Sequence, residues 1–302
     1  MTILTYVFNT LKNIIGLVRV RAWPSFIICF LGGLSFSGNS LITLIQSLLN
    51  SRLYISIVGF ILLLAYTFAL NQCFDIKEDS LHKEKKQFPV TSGRMTLSRA
   101  IMWTILLLVG GSIAMFFTST SPATVLLYIF IWTAYSIPKL RFKERMGLDL
   151  VSNGAGGGLS FLLGASILSS IGMSSIFIAS VIALMYGTGY IFHSCADYEN
   201  DKLANVKTTC VRIGKKKSLI LAVTILAMMA IFYTTGILLL PFPKHYLALA
   251  IFLVPLLLIV MRVDVNNTTA LEKLQKRVIF VGYATGITAI IVSLLFILFN
   301  IG

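Results

Sequence analysis

Five polar side chains in an otherwise apolar chain have the types and spacing for metal-assisted chemistry. In residues 71–79, NQCFDIKED, the side chains of Asn71, Asp75 and Asp79 recur at every fourth position. Four residues advance a helix by about 400° and about 6 Å, so the three share one face. In residues 193–214, HSCADYENDKLANVKTTCVRIG, Asp197 and Asp201 repeat that spacing. Two carboxylate pairs at matching depth repel and raise each other's pKa unless cations lie between them. Oxygen ligands suit Mg²⁺, which keeps several waters and takes phosphate oxygens as further ligands. The arrangement points to a diphosphate held through Mg²⁺, with Asp75, Asp79, Asp197 and Asp201 as metal ligands.

A third segment, YSIPKLRFKERMGLD from Tyr135, is basic. A group that leaves as an anion needs donors fixed where its charge develops. Tyr135, Lys139 and Arg141 are favoured for that work, whereas Lys143 and Arg145 read equally well as ordinary loop cations. His193, one turn before Asp197, is read as a packing histidine, with an acceptor-side base as the other reading. The run NGAGGG, residues 153–158, has no following Lys and begins inside an apolar stretch. It is not a phosphate loop; its glycines are read as permitting close helix packing, with room for a prenyl chain as the other reading.

The elements that must carry these residues are membrane spans. Of the 302 residues, 57% are hydrophobic and only 12% charged, with mean hydropathy +0.89. Soluble domains carry about 25% charged residues, so the chain reads as an integral membrane protein. Apolar runs of helical length predict an all-α polytopic fold. Nine transmembrane helices are expected, at about 20–38, 53–74, 95–117, 123–137, 148–168, 174–195, 218–236, 246–261 and 278–299. They form a single domain, residues 1–302, around a central cavity capped by cytosolic loops. The cavity is expected between the second, fourth, fifth and sixth spans, with the aspartates above and an aromatic wall below. The first stretch lacks a short apolar core and a cleavage site, so no cleavable signal peptide is expected.

Nine spans place 23 of the 25 Lys and Arg on one side, leaving only Arg52 and Lys244 on the other, and all 11 acidic residues join the basic side. The positive-inside rule makes that side cytosolic, with the N-terminus and the active-site loops, and puts the C-terminus outside. The formal charge of +14 is then a topology signal with attraction for anionic membrane lipid. The cations are split among short loops, which excludes nucleic acid as a partner. Cys29, Cys73, Cys195 and Cys210 fit no zinc spacing and read as reduced, structural thiols.

NQCFDIKED followed by KKQFPVTSGRMTLSRA resembles the first signature of the UbiA superfamily of intramembrane prenyltransferases, Asn-x₃-Asp-x₃-Asp with a Pro-x-x-Ser-Gly-like turn. DYENDKLANVKTTCVRIG resembles the second signature, and YSIPK its Tyr-x₃-Lys element. The resemblance implies that Asn71 and the four aspartates hold Mg²⁺ and the diphosphate of an isoprenyl donor. It implies that Tyr135, Lys139 and Arg94 bind or neutralise the diphosphate, with Arg141 and Lys202 as further substrate-binding candidates. The implied reaction ionises the allylic C–O bond and lets an acceptor capture the carbocation. In one departure, Phe88-Pro89 stands where many members carry Arg-Pro, so a cation is missing there and Lys85 or Lys86 is expected to supply it. With GLDLVSNG and VKTTCVRIG, this is similar to the branch that elongates or modifies long isoprenoids.

The partners expected are an isoprenyl diphosphate and a lipophilic or aromatic acceptor. Arg19 and Arg21 sit at the edge of the first span, so nothing inside the membrane core grips a carboxylate, which favours an apolar acceptor. A terpene cyclase on the same scaffold, which needs no second substrate, is the alternative. A transporter is disfavoured because the acids lie at one face instead of mid-membrane.

Overall fold

Apolar surroundings leave the backbone no hydrogen-bonding partner but itself, and a helix satisfies it locally. The computed structural model describes residues 3–38, 41–82, 84–240, 251, 264 and 267–299, and among these there is helix and no strand. The helices are α1 (Ile3–Leu17), α2 (Pro24–Ser37), α3 (Leu41–Leu48), α4 (Ser51–Phe74), α5 (Ile76–Leu81), α6 (Leu97–Thr118) and α7 (Pro122–Ser136). They continue as α8 (Leu148–Ala165), α9 (Met173–Ala196), α10 (Tyr198–Leu203), α11 (Thr209–Ile213), α12 (Lys215–Leu239) and α13 (Thr268–Phe299). Their starts follow from local chemistry. Pro24 and Pro122 occupy first turns, where a missing N–H costs nothing. The Asn50 and Thr96 side chains accept from the N–H groups of Arg52 and Arg99.

Among the described residues five helices, α4, α6, α9, α12 and α13, are long and apolar enough to cross a membrane, and α1 with α2, bent by 66°, would add a sixth. The expected span at 246–261 lies, apart from residue 251, outside the described residues. The other eight expected spans coincide with helices. However, α7 has 15 residues and reaches only about 22 Å of a hydrocarbon core of about 30 Å. Helix α8 carries Asp149, Ser152 and Asn153 in its first turns and is mostly buried. It is an interior helix, packed by α2, α7 and α9.

The glycines explain how it fits there. A methyl group on Gly164 of α8 would overlap the carbonyl of Phe30, and one on Gly33 of α2 would overlap that of Phe161. The two backbones therefore touch. On the other side, a Cβ at Gly154 or Gly158 would come within 2.6 Å of an α9 carbonyl, at Ala183 or Ala179. Gly156 and Gly157 make room for the rings of Trp132 and Tyr186. The expected close packing of NGAGGG is thus met, and two of its glycines also admit aromatic rings. Phe30 stacks on Phe60 at 4.3 Å, and Phe26 meets Trp132 edge-on at 5.8 Å, which closes the core beneath the cavity.

Candidate active site

Both aspartate pairs sit on the same local device. Helix α4 ends at Phe74, Asp75 is its C-cap, and α5 restarts at Ile76. Helix α9 ends at Ala196, Asp197 is its C-cap, and α10 restarts at Tyr198. The i to i−4 hydrogen bonds run through each break: Asp75 N–H to Asn71 O at 3.0 Å and Asp79 N–H to Asp75 O at 2.8 Å, then Asp197 N–H to His193 O at 3.0 Å and Asp201 N–H to Asp197 O at 2.9 Å. The four-residue spacing therefore survives, and all four aspartates line one cavity of about 330 Å³.

The cavity is walled by α4, α7, α8 and α9, as expected, with Phe68, Trp132, Asn153 and Tyr190 among the lining residues. The first span contributes too, through Arg19, Ala22 and Phe26. Among the described residues, five carboxylates line it against three cations, Arg19, Lys85 and Lys143, with His82 and His193 beside them. Lys143 is buried and ion-paired with Asp75. Lys85 reaches across from the segment after the first pair to Asp197 of the second, at 3.4 Å. Asn71 donates to Asp75 Oδ2 at 2.6 Å.

The electrostatics of the two pairs are parallel. Burial and then the neighbouring Asp75 charge push the Asp79 carboxyl up to about 6. Burial and then Asp197 push Asp201 up to about 7. Burial acts on Asp197 in the same sense, but His193, Lys85 and His82 outweigh it and hold that carboxyl below its ordinary value. Among the described residues, Asp79 Oδ2 and Glu78 Oε2 are buried with no hydrogen-bond partner. Acceptor oxygens in that condition, beside like charges, fit a cation. Among the described residues no three His, Cys, Asp or Glu converge as a ready chelate. Each pair thus offers part of a shell, which suits Mg²⁺ with its waters and phosphate ligands.

Other sequence candidates lie elsewhere. Tyr135 lines the cavity. Arg141 sits outside that lining, ion-paired with Glu78 and Glu144 and 3.7 Å from Asp75. Lys139 is exposed and outside the lining, and Lys143 occupies the place beside Asp75. The cause is a backbone reversal: Arg141 adopts a left-handed φ of 39°, so residues on its two sides point apart. Arg94 is exposed and braces its own turn through Ser92 and the Gln87 carbonyl. Lys202 is exposed on α10. His193 lines the cavity with Nε2 3.6 Å from Asp197, and its Nδ1 lies 2.7 Å from the Gln275 amide, a contact that joins α9 to α13 as the packing reading expects.

Three residues of the site were not singled out from sequence. Arg19 lines the cavity with its guanidinium 4.8 Å from the ring of Phe88, the residue that departs from the usual signature. Glu78 stands three residues from Asp75 and is the counter-ion of Arg141. Asp149, fully buried in the first turn of α8, accepts from Thr209 N at 2.7 Å and from its hydroxyl, which ties down the loop that follows the second aspartate pair. An acid inside an apolar run was the available signal for Asp149.

Known proteins resemble this chain in sequence or in fold. A lycopene elongase/hydratase of Corynebacterium glutamicum is 30% identical over 148 residues, 44% of this chain and 50% of that protein. A digeranylgeranylglyceryl phosphate synthase of Methanosarcina barkeri is 27% identical over 178 residues, 59% of this chain and 58% of that protein. The chain thus spans about half the length of the curated relatives it matches. Among solved structures, a UbiA homolog from Archaeoglobus fulgidus bound to GPP and Mg²⁺ has a similar fold, with TM-score 0.74 and 22% identity over 92% of this chain and 99% of that one. The structure of a digeranylgeranylglyceryl phosphate synthase is similar at TM-score 0.73 and 21% identity, over 94% and 98%. The profile of the UbiA prenyltransferase family matches residues 25–282, a stretch that holds both aspartate pairs and the basic loop between them. This membrane protein therefore belongs to the UbiA prenyltransferase family.

Proposed function

We propose that the chain transfers a prenyl group from an isoprenyl diphosphate to a lipophilic acceptor inside the membrane, with Mg²⁺ as cofactor. The observation that carries this reading is the pair of matching helix breaks: Asp75 and Asp79, and Asp197 and Asp201, line one cavity whose deeper wall holds Phe26, Phe68 and Trp132. Bound Mg²⁺ supplies Lewis acidity to the departing diphosphate. Asp75, Asp79, Asp197 and Asp201 hold it, and Asn71 orients Asp75. Lys143 and Lys85, each already on an aspartate, place positive charge where the leaving group becomes an anion. The aromatic wall excludes water from the allylic cation and turns π faces toward it. The acceptor then bonds to the carbon whose C–O bond has broken, and the proton it gives up passes to the released diphosphate.

The same reading keeps residues 1–302 as one domain of nine spans, with the aspartates at the cytosolic face and the C-terminus outside. Eight helices at the expected places and the charge asymmetry support it. Cysteine labelling in right-side-out vesicles is expected to reach probes near Arg52 and not near Lys85, and the reverse pattern would invert the orientation.

The decisive experiment reconstitutes the purified protein in nanodiscs with labelled geranyl or geranylgeranyl diphosphate, Mg²⁺ and membrane lipid extract. A labelled, prenylated lipid that disappears with excess chelator is expected. A cyclic hydrocarbon formed from the labelled diphosphate alone would establish the cyclase instead, and turnover that persists in chelator would sink the metal assignment.

A further inference from the structure

Arg19 sits in the cavity under conditions that call for a ligand. Of the three cations lining the cavity, Lys85 and Lys143 are each ion-paired with an aspartate. Arg19 forms no ion pair among the described residues; its guanidinium donates one hydrogen bond, Nη1 to Asn71 Oδ1 at 3.4 Å. A guanidinium carries five N–H donors, and a charge taken from water is costly unless it is answered. Its faces are nonetheless engaged: the guanidinium carbon lies 4.8 Å from the Phe88 ring centroid and 5.6 Å from that of Phe68. Aromatic rings hold a guanidinium by its face and neither neutralise it nor compete for its N–H edge. The edge is left for an anion.

The backbone is arranged to present it. Arg19 has φ 50° and ψ 50°, a left-handed conformation uncommon outside glycine. Neighbouring side chains pin that turn: Gln72 Nε2, on a buried residue, donates to the carbonyls of Gly16 and Leu17 at 2.8 and 2.9 Å, and Trp23 Nε1 donates to that of Val18 at 2.7 Å. Asn71, the acceptor of Arg19, in turn donates to Asp75 Oδ2. The guanidinium is therefore one side chain away from the first aspartate pair.

We infer that Arg19 is the cavity's oxyanion receptor, clamped for that role by the rings of Phe68 and Phe88, and that the anion it takes is the diphosphate. This rests on the donor reading above and adds a binding residue with two positioning residues.

The test is calorimetric binding of inorganic diphosphate, with Mg²⁺, to the full chain and its variants, alongside their melting temperatures. Arg19→Ala is expected to weaken binding by about 10- to 100-fold, with Arg19→Lys recovering only part of it. Phe88→Leu, which keeps apolar bulk without the ring, is expected to weaken it by about 3- to 30-fold at an unchanged melting temperature, and Phe88→Tyr to bind like the wild type. Wild-type affinity in Arg19→Ala, or in Arg19→Lys should the alanine variant not fold, would overturn the receptor. Wild-type affinity in Phe88→Leu would overturn the clamp. The control is Asp75→Ala: if it abolishes diphosphate binding while the Arg19 variants bind normally, the donor reading stands and this inference falls. If the wild type binds no diphosphate, the donor reading falls.

Discussion

Replacing Lys143 by Met keeps the side-chain volume and removes one charge from a buried pair. Lys143 and Asp75 are about nine-tenths buried, with side-chain exposures of 8% and 9%. Breaking such a pair from one side leaves an uncompensated buried carboxylate and costs about 3–5 kcal/mol. Arg141, 3.7 Å from the same oxygen, remains, so the cost should fall near the lower end of that range. For function, loss of one charge-assisted contact of about 1.5–3 kcal/mol translates to roughly 10- to 150-fold in kcat/KM for the prenyl donor. Lys139→Met, at an exposed position outside the cavity, should change neither stability nor rate by more than about threefold. Radiolabelled product formation and thermal unfolding in nanodiscs measure both quantities. The double change Asp75→Asn with Lys143→Met should recover stability, because it removes both charges, and stay inactive. Equal losses at 139 and 143, or an unaffected Lys143→Met, would refute the reasoning.

In the metal-free protein the raised Asp79 and Asp201 values, about 6 and about 7, mean the folded state holds protons that the unfolded chain, titrating near the ordinary carboxyl range, has released. Their contribution to stability should therefore rise as pH falls from 8 toward 5, visible as the melting-temperature difference between wild type and Asp201→Asn; a pH-independent difference would contradict it. Mg²⁺ affinity should run the other way, weakening as pH falls through 7 and 6, which titration calorimetry at three pH values can check. Gly164→Ala should prevent the contact of α2 with α8, since the added methyl meets a backbone carbonyl, and cost about 3 kcal/mol or more in detergent unfolding. Gly157→Ala meets only the movable ring of Tyr186 and should cost less. Asp149→Ala leaves the Thr209 N–H without its acceptor, at about 1–3 kcal/mol, and hydrogen exchange should accelerate around residue 209 with little change in α9.

Whatever depends on neighbours along the chain was legible in the residues themselves. The apolar runs implied helices because an unpaired backbone is intolerable in hydrocarbon. The spacing of Asn71, Asp75 and Asp79, and of Asp197 and Asp201, implied a shared face because helical geometry relates residues four apart. That spacing holds even though both helices break at the first aspartate of each pair. The glycines of residues 154–158 implied close packing because only a missing Cβ lets two backbones touch. Which cation meets which carboxylate depends instead on how the helices pack. Sequence spacing favoured Lys139 over Lys143, but the left-handed turn at Arg141 sends one outward and the other onto Asp75. Arg19 read as an edge residue because hydropathy sees only depth; the 66° bend between the first two helices and the caps from Gln72 and Trp23 bring it into the cavity. Asp149 meets Thr209 across 60 residues of chain, and no local period encodes such a meeting. Reach between segments distant in sequence is set by how the helices pack, and that information is absent from any single stretch of residues.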